Sequence, residues 1–165
     1  MEIRPEETTD IESIRQVTKV AFTAVPYSSQ TESAIIDGLR EADALTLSLV
    51  AVQDDYVVGH IAFSPITIDE TNQGWYGLGP VSVHPDYQNR GVGGMLIREG
   101  LHQLVELGAK GCVVLGEPGY YKRFGFEYDN ALRYEAAPAD YFMRIVFEGP
   151  APTGHVAYHA GFNAR

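Results

Sequence analysis

Apolar positions along the chain follow first a helical period and then an alternating one. Ile11, Ile14, Val17 and Ala21 line one helix face, and Ile35, Ile36 and Leu39 line a second, which predicts two amphipathic helices early in the chain. Thr9 precedes Glu12 and Ser29 precedes Glu32 at capping-box spacing, where a hydroxyl and a carboxylate satisfy open backbone N–H groups reciprocally. Met1–Arg4 reads as a short strand ahead of the helices, and Phe22–Ser28, with Pro26 and Tyr27, as the loop between them. Leu45–Val52 and Tyr56–Ile68 flank the turn residues Asp54 and Asp55, the pattern of a hairpin. After a turn at Thr71–Gly74, Trp75–Val83 reads as a third strand that contains Gly77, Gly79 and Pro80. Proline cannot donate to a ladder, so this strand is expected to be irregular or bulged there.

Gly91–Leu107 carries the stripe Ile97, Leu101, Leu104 and Val105 and stops at Gly108, a helix with a glycine terminator. Gly111–Leu115 is continuously apolar, as a strand buried on both faces is. A short helix around Tyr120–Arg123 and closing strands at Phe126–Tyr128 and Phe142–Phe147 follow, and the tail from Gly149 reads as irregular. The order β, α, α, β, β, β, α, β, α, β, β is a mixed α/β layout, not the strict alternation of a doubly wound dinucleotide fold. With no internal repeat, residues 1–165 read as one domain with 149–165 as a C-terminal tail.

Composition narrows the function. Hydrophobic residues make up 45% and charged residues 21% of 165 positions, an ordinary globular balance. Lys and Arg number 12 against 22 Asp and Glu, a formal charge of −10. Such a surface repels nucleic acid and anionic membrane and attracts a small amine. No apolar run approaches the roughly 18 residues of a membrane span. The acidic Met1–Glu7 lacks a basic, then apolar, leader. Cys112 is the one cysteine, which excludes a disulfide framework or zinc ribbon and fits the cytoplasm. Its apolar run suits a core residue better than a reactive thiol. His155 and His159 are four apart, but Pro152, Gly154 and Gly161 argue against a helix presenting them, and no metal is expected. No Gly-x-Ser-x-Gly elbow is present.

The informative segment is Val81-Ser82-Val83-His84-Pro85-Asp86-Tyr87-Gln88-Asn89-Arg90-Gly91-Val92-Gly93-Gly94. A strand ends, a loop turns, and a helix opens on glycines whose N–H groups can approach an anion, with Arg90 adding charge. Neither Gly-x-Gly-x-x-Gly nor a P-loop is present. Gln88-x-x-Gly91-x-Gly93 resembles the phosphate loop of the GNAT superfamily of acyl-CoA N-acetyltransferases, Gln/Arg-x-x-Gly-x-Gly/Ala. A second block, Tyr121-x-x-x-Gly125-Phe126, is similar to that family's last shared helix and turn. Entered through Leu115-Gly116-Glu117-Pro118, the run Tyr120–Phe126 looks most like the YhbS-like branch.

The resemblance implies a GNAT-like fold: a mixed, mostly antiparallel sheet splayed at the cofactor strand, with helices on both faces. It implies that pantetheine pairs with the backbone of Val81, Ser82 and Val83. The pyrophosphate of acetyl-CoA, a co-substrate, would lie on Gln88, Asn89, Arg90, Gly91, Val92, Gly93 and Gly94. An N–H of the Val81–Val83 strand would face the oxyanion, and Tyr121 would protonate the departing thiolate. The base stays open: Glu117, His84 through a water, or a water chain alone. Where many members carry Asn and then Ala before this tyrosine, the chain has Leu115-Gly116-Glu117-Pro118-Gly119.

The expected activity is transfer of acetyl to a primary amine by direct attack in a ternary complex, with a small-molecule acceptor favoured. The rival readings are a non-catalytic acyl-CoA-binding module and a protein or peptide N-acetyltransferase. Relatives that pair through late strands make a homodimer possible.

Overall fold

The computed structural model describes residues 1–165. Strand β1 (Glu2–Pro5) leads through a 3-10 turn into α1 (Ile11–Thr23), followed by α2 (Glu32–Glu41). The helix starts differ from the expected boxes. Asp10, not Glu12, accepts from a free N–H, that of Glu7 at 2.7 Å, and Arg4 holds its carboxylate at 2.7 Å. An ionised carboxylate fixed by a guanidinium is a stronger acceptor than the Thr9 hydroxyl. At α2 the hydroxyl that meets Glu32 is Ser28, at 2.7 Å, not Ser29.

A meander follows: β2 (Leu47–Gln53), β3 (Tyr56–Ile68) and β4 (Trp75–Val83). Then come α3 (Val92–Glu106), β5 (Gly111–Leu115), the single turn α4 (Pro118–Tyr121), β6 (Glu127–Tyr128), β7 (Leu132–Arg133), β8 (Phe142–Val146) and β9 (Gly154–Tyr158). The sheet order is β1-β2-β3-β4-β5-β8-β6, with β9 bridging β3 and β7. Its neighbours are antiparallel except β4 with β5 and β7 with β9. The sheet is therefore mixed, as expected, and open.

Helices cover both faces. Leu96, Ile97 and Leu104 of α3 pack on Ile61, Phe63 and Leu78 of β3 and β4, with Cys112, Val114 and Phe126 beyond them. Ile14 of α1 and Ile36 of α2 close over Val50 on the other face. Burial pushes the Cys112 thiol up, so it stays protonated as a core residue.

The expectation of an irregular C-terminal tail is corrected. Tyr158, Ala157 and Val156 pair with Ile66, Thr67 and Ile68, and Val156 joins Trp75, Val113 and Phe142 in a second core. Gly154 looked like a breaker in sequence. Its φ of 139° lets the chain pass Asp69, whose Oδ1 accepts from the His155 N–H at 2.9 Å. That places the chain in register for the strand.

Candidate active site

The site begins where the sheet divides. Trp75–Leu78 of β4 pair with Gly111–Val114 of β5, and the two strands part beyond Leu78. At the same point the β3–β4 register jumps from Ile61↔Val81 to Phe63↔Leu78, bulging at the cis Gly79–Pro80 peptide. The expected irregularity is this bulge. Past it, the His84 N–H bonds to Val58 on β3 at 2.8 Å. An antiparallel ladder alternates, so Ser82 also turns its backbone to β3. Val81 and Val83 therefore turn theirs into the gap. The Val83 carbonyl there accepts from Gln88 Nε2 at 3.0 Å.

The gap runs into the start of α3. Gly91, at φ 84°, caps the helix, and its carbonyl takes the first helical N–H, that of Met95 at 3.0 Å. The N–H groups of Val92, Gly93 and Gly94 precede that bond and lack a helical acceptor, so they and the helix dipole favour an anion. A cavity of about 660 Å³ opens over them. Val81, Val83, Gln88, Asn89, Gly91, Val92, Gly93 and Gly94, all named from the sequence, line it.

Ser82 and Arg90, also named from the sequence, do not line the cavity. The Ser82 backbone pairs with His60 on β3 and its side chain is buried on the other face. Arg90 lies over the Tyr87 ring at 5.4 Å instead of lining the cavity. The cations that do line it are Arg98 and Arg123, which sequence reasoning missed. Arg98 sits four residues after Gly94, one helical turn from the glycine loop, which was a legible signal. A Cβ on Gly94 would meet the Arg98 guanidinium at 3.1 Å. Arg98 stacks on Phe124 at 4.9 Å and Arg123 on Tyr120 at 4.8 Å. These stacked guanidiniums are positioned for phosphate oxygens.

The two tyrosines of α4 divide. Tyr120 faces the cavity, its hydroxyl 3.2 Å from where a Gly93 Cβ would stand. Tyr121 packs inward beside Gly116, at the end of β5, and against Phe126. Burial, followed by the neighbouring Tyr120 and Tyr27, raises its phenol above the usual range. Glu117 is exposed at the N-cap of α4 and is not among the residues lining the cavity. His84 Nδ1 accepts from the Asp86 N–H at 3.1 Å, and its ring faces a separate groove of about 630 Å³ beside α1. His155 Nδ1 pairs with Glu135 at 3.0 Å, and His159 Nδ1 accepts from Gly161 at 3.0 Å.

Comparison with known proteins bears on this geometry. The Acetyltransferase (GNAT) family profile matches residues 11–126. The chain is 35% identical over 144 residues to the uncharacterized N-acetyltransferase YhbS of Escherichia coli K12, covering 83% of this chain and 86% of that protein. The crystal structure of YhbS in complex with CoA superposes with a TM-score of 0.90 at 33% identity, over 98% of this chain and 91% of that one. A GNAT family acetyltransferase of Brucella melitensis, in complex with acetyl-CoA, superposes with a TM-score of 0.88 at 55% identity, over 98% and 97%. By its loop, its divided sheet and these likenesses, the chain belongs to the GNAT family of N-acetyltransferases.

Proposed function

We propose that this acyltransferase moves the acetyl group of acetyl-CoA to a primary amine by direct attack in a ternary complex. The observation that carries the reading is the free backbone edge of Val81 and Val83, which runs into the α3 N-terminus. Pantetheine completes that edge as an added strand would. The pyrophosphate rests on the Val92, Gly93 and Gly94 N–H groups, with Arg98, Arg123 and the Tyr120 hydroxyl around it. The thioester then lies near the bulge, where the Val81 N–H faces the carbonyl oxygen and stabilises the oxyanion.

The amine nitrogen bonds to the carbonyl carbon, the C–S bond breaks, and the thiolate departs. Tyr121 is the proton donor in this reading. Its raised pKa keeps it protonated at neutral pH. A phenol above about 10 gives up its proton reluctantly to a thiolate near 8.5, so it shares that proton through a hydrogen bond as charge builds on sulfur. The amine proton leaves to water, since Glu117 is exposed at the helix cap. The acceptor is a small molecule in this reading.

Tyr121→Phe removes the donor and retains the ring. Turnover, followed as release of CoA thiol, should fall at least about tenfold, with the acetyl-CoA KM little changed. An unchanged kcat removes Tyr121 from the mechanism.

A further inference from the structure

A second concavity lies across the turn that leads into the glycine loop. It is the groove of about 630 Å³ walled by α1, by the β2–β3 hairpin and by the His84–Tyr87 turn. Acetyl transfer, as described above, gives it no task. Tyr87 lines this groove and the cavity over the α3 start alike, so the two concavities share a wall. That wall is braced. The His84 N–H donates to the Val58 carbonyl and the Tyr87 N–H to the His84 carbonyl, each at 2.8 Å. Gln88 Nε2 then ties the turn to the Val83 carbonyl at 3.0 Å.

The sides of the groove are apolar and its rim is negative. Val17, Val52 and Val57 line it together with Val20 and Tyr56, which stay 38% and 74% exposed. Apolar side chains left open inside a concavity of this size mark a binding surface. Three carboxylates reach the same groove, and they are not equivalent. Asp10 is satisfied, held by Arg4 and by the Glu7 N–H at 2.7 Å each. Asp55, at the hairpin turn, forms no ion pair, and Asp86 comes no nearer to a cationic side chain than 3.8 Å from His84 Nδ1. That nitrogen accepts the Asp86 N–H at 3.1 Å, so its lone pair, not a proton, is what it shows the carboxylate. Arg4 is the one lysine or arginine in the lining, and Asp10 already engages it. Two carboxylates beside an apolar wall are thus left without a counter-charge.

We propose that this groove is a second ligand site, separate from the acetyl-CoA cavity, for an organic cation: an ammonium taken by Asp55 and Asp86 and an apolar body laid against Val20 and Tyr56. The ligand supplies the charge that the lining lacks, and a chain of net charge −10 draws it from solution. An anion of the same shape adds to the unpaired carboxylates, and a bare ammonium ion leaves the apolar wall wet. Occupancy is felt at the neighbouring cavity. Asp86 stands two residues before Gln88, and its charge opposes the arrival of a pyrophosphate. A cation in the groove cancels part of that field and tightens acetyl-CoA about 2- to 4-fold at low ionic strength. By linkage, acetyl-CoA tightens the cation by the same factor. This coupling rests on the acetyl-transfer reading; the groove assignment does not.

The probe is hexylammonium, titrated into the full chain without acetyl-CoA and followed by amide NMR, with hexanoate and ammonium chloride at equal concentration as controls. Hexylammonium should shift the amides of Val20, Asp55–Val57 and His84–Tyr87 to saturation, and neither control should do so. Asp55→Asn with Asp86→Asn, both at the surface, should weaken hexylammonium about 3- to 10-fold and leave the melting temperature in place. Saturation by hexanoate or by ammonium chloride overturns the assignment. So do shifts confined to Val81–Val83 and the α3 start, or a double variant with unaltered affinity. Calorimetric titration of acetyl-CoA at matched ionic strength, with and without saturating hexylammonium, then reads the coupling. The native protein should gain affinity with the cation and the double variant should not. A chain that binds hexylammonium in the groove but never acetyl-CoA refutes the acetyl-transfer reading alone, and an acetyl-CoA Kd indifferent to the bound cation refutes the coupling.

Discussion

Replacing Gly93 by Ala should separate stability from cofactor binding. Gly93 lies in the first turn of α3, at ordinary helical φ, and it lines the cavity over the α3 start, where the proposed reading seats the pyrophosphate. An added Cβ would meet the Tyr120 hydroxyl at 3.2 Å and Val83 Cγ2 at 3.7 Å. The first contact involves the far end of a side chain that can shift by a few tenths of an ångström. Against it stands the helix preference of Ala over Gly, up to about 1 kcal/mol. The ligand-free protein should therefore melt between about 0 and 4 °C higher, at roughly 2–4 °C per kcal/mol for a domain of this size. Binding runs the other way. In the proposed complex the methyl group stands where a phosphate oxygen approaches the N–H groups of the α3 start. Losing one charge-assisted hydrogen bond there costs about 1.5–3 kcal/mol, or roughly 10- to 100-fold in Kd. At acetyl-CoA equal to about 100 times the native Kd, the ligand adds about 2.7 kcal/mol to the native protein and about 1.4 kcal/mol to a variant bound tenfold more weakly. The ligand-induced rise in Tm should thus fall to half or less while the ligand-free Tm holds. Differential scanning fluorimetry with and without acetyl-CoA reads both numbers. An undiminished ligand shift, or a ligand-free Tm lowered by more than about 5 °C, refutes the placement of the phosphates over Gly93.

Two further outcomes follow from named contacts. Arg98→Gln and Arg123→Gln should each weaken acetyl-CoA about 3- to 10-fold at low salt, and the loss should shrink as ionic strength rises; a salt-independent loss in calorimetric titrations would argue against phosphate contact. His60 is fully buried, its Nε2 2.7 Å from Ser48 Oγ, and burial followed by nearby Arg40 pushes its pKa down to about 3. The unfolded chain takes up a proton near 6.5 and the folded one does not, so this stability is whole above that pH and is lost as pH falls toward 3. Between pH 7 and 4.5 the loss from this residue should reach about 2–3 kcal/mol in urea unfolding. His60→Gln should flatten that dependence, and an unflattened curve would locate the acid sensitivity elsewhere.

The legible parts of the fold were those whose cause is local. Tyr56–Ile68, Trp75–Val83 and Gly111–Leu115 stand where the pattern put them, because period and turn residues alone decide them. The Gly79–Pro80 irregularity was equally readable, since a proline inside a strand has few places to go. Strand β9 was not. Pro152 and Gly154 read as breakers, and what holds Val156 and Tyr158 is a strand edge some ninety residues earlier in the chain, which no local window contains. At the site, the glycine loop announced itself and placed Arg98 one helical turn beyond it, but Arg123 left no local signal. Arg90 is adjacent to the loop in sequence and turns to Tyr87, while Arg123 arrives from α4 by tertiary packing. Tyr120 and Tyr121 are neighbours whose side chains diverge at a helical turn, so the same residue type serves the cavity in one case and the strand joint in the other.

The parting of β4 from β5 also bears on solubility. A strand edge left bare inside a divided sheet is a template on which another chain can pair and aggregate. Here that edge is kept short. Gln88 covers the Val83 carbonyl, the bulge at Gly79–Pro80 breaks the register on one side, and the chain turns away at Pro85 on the other. What stays open is little more than one residue's worth of backbone, too little to nucleate an intermolecular strand. If, as proposed, pantetheine completes this edge, the enzyme can stand empty between turnovers without becoming adhesive.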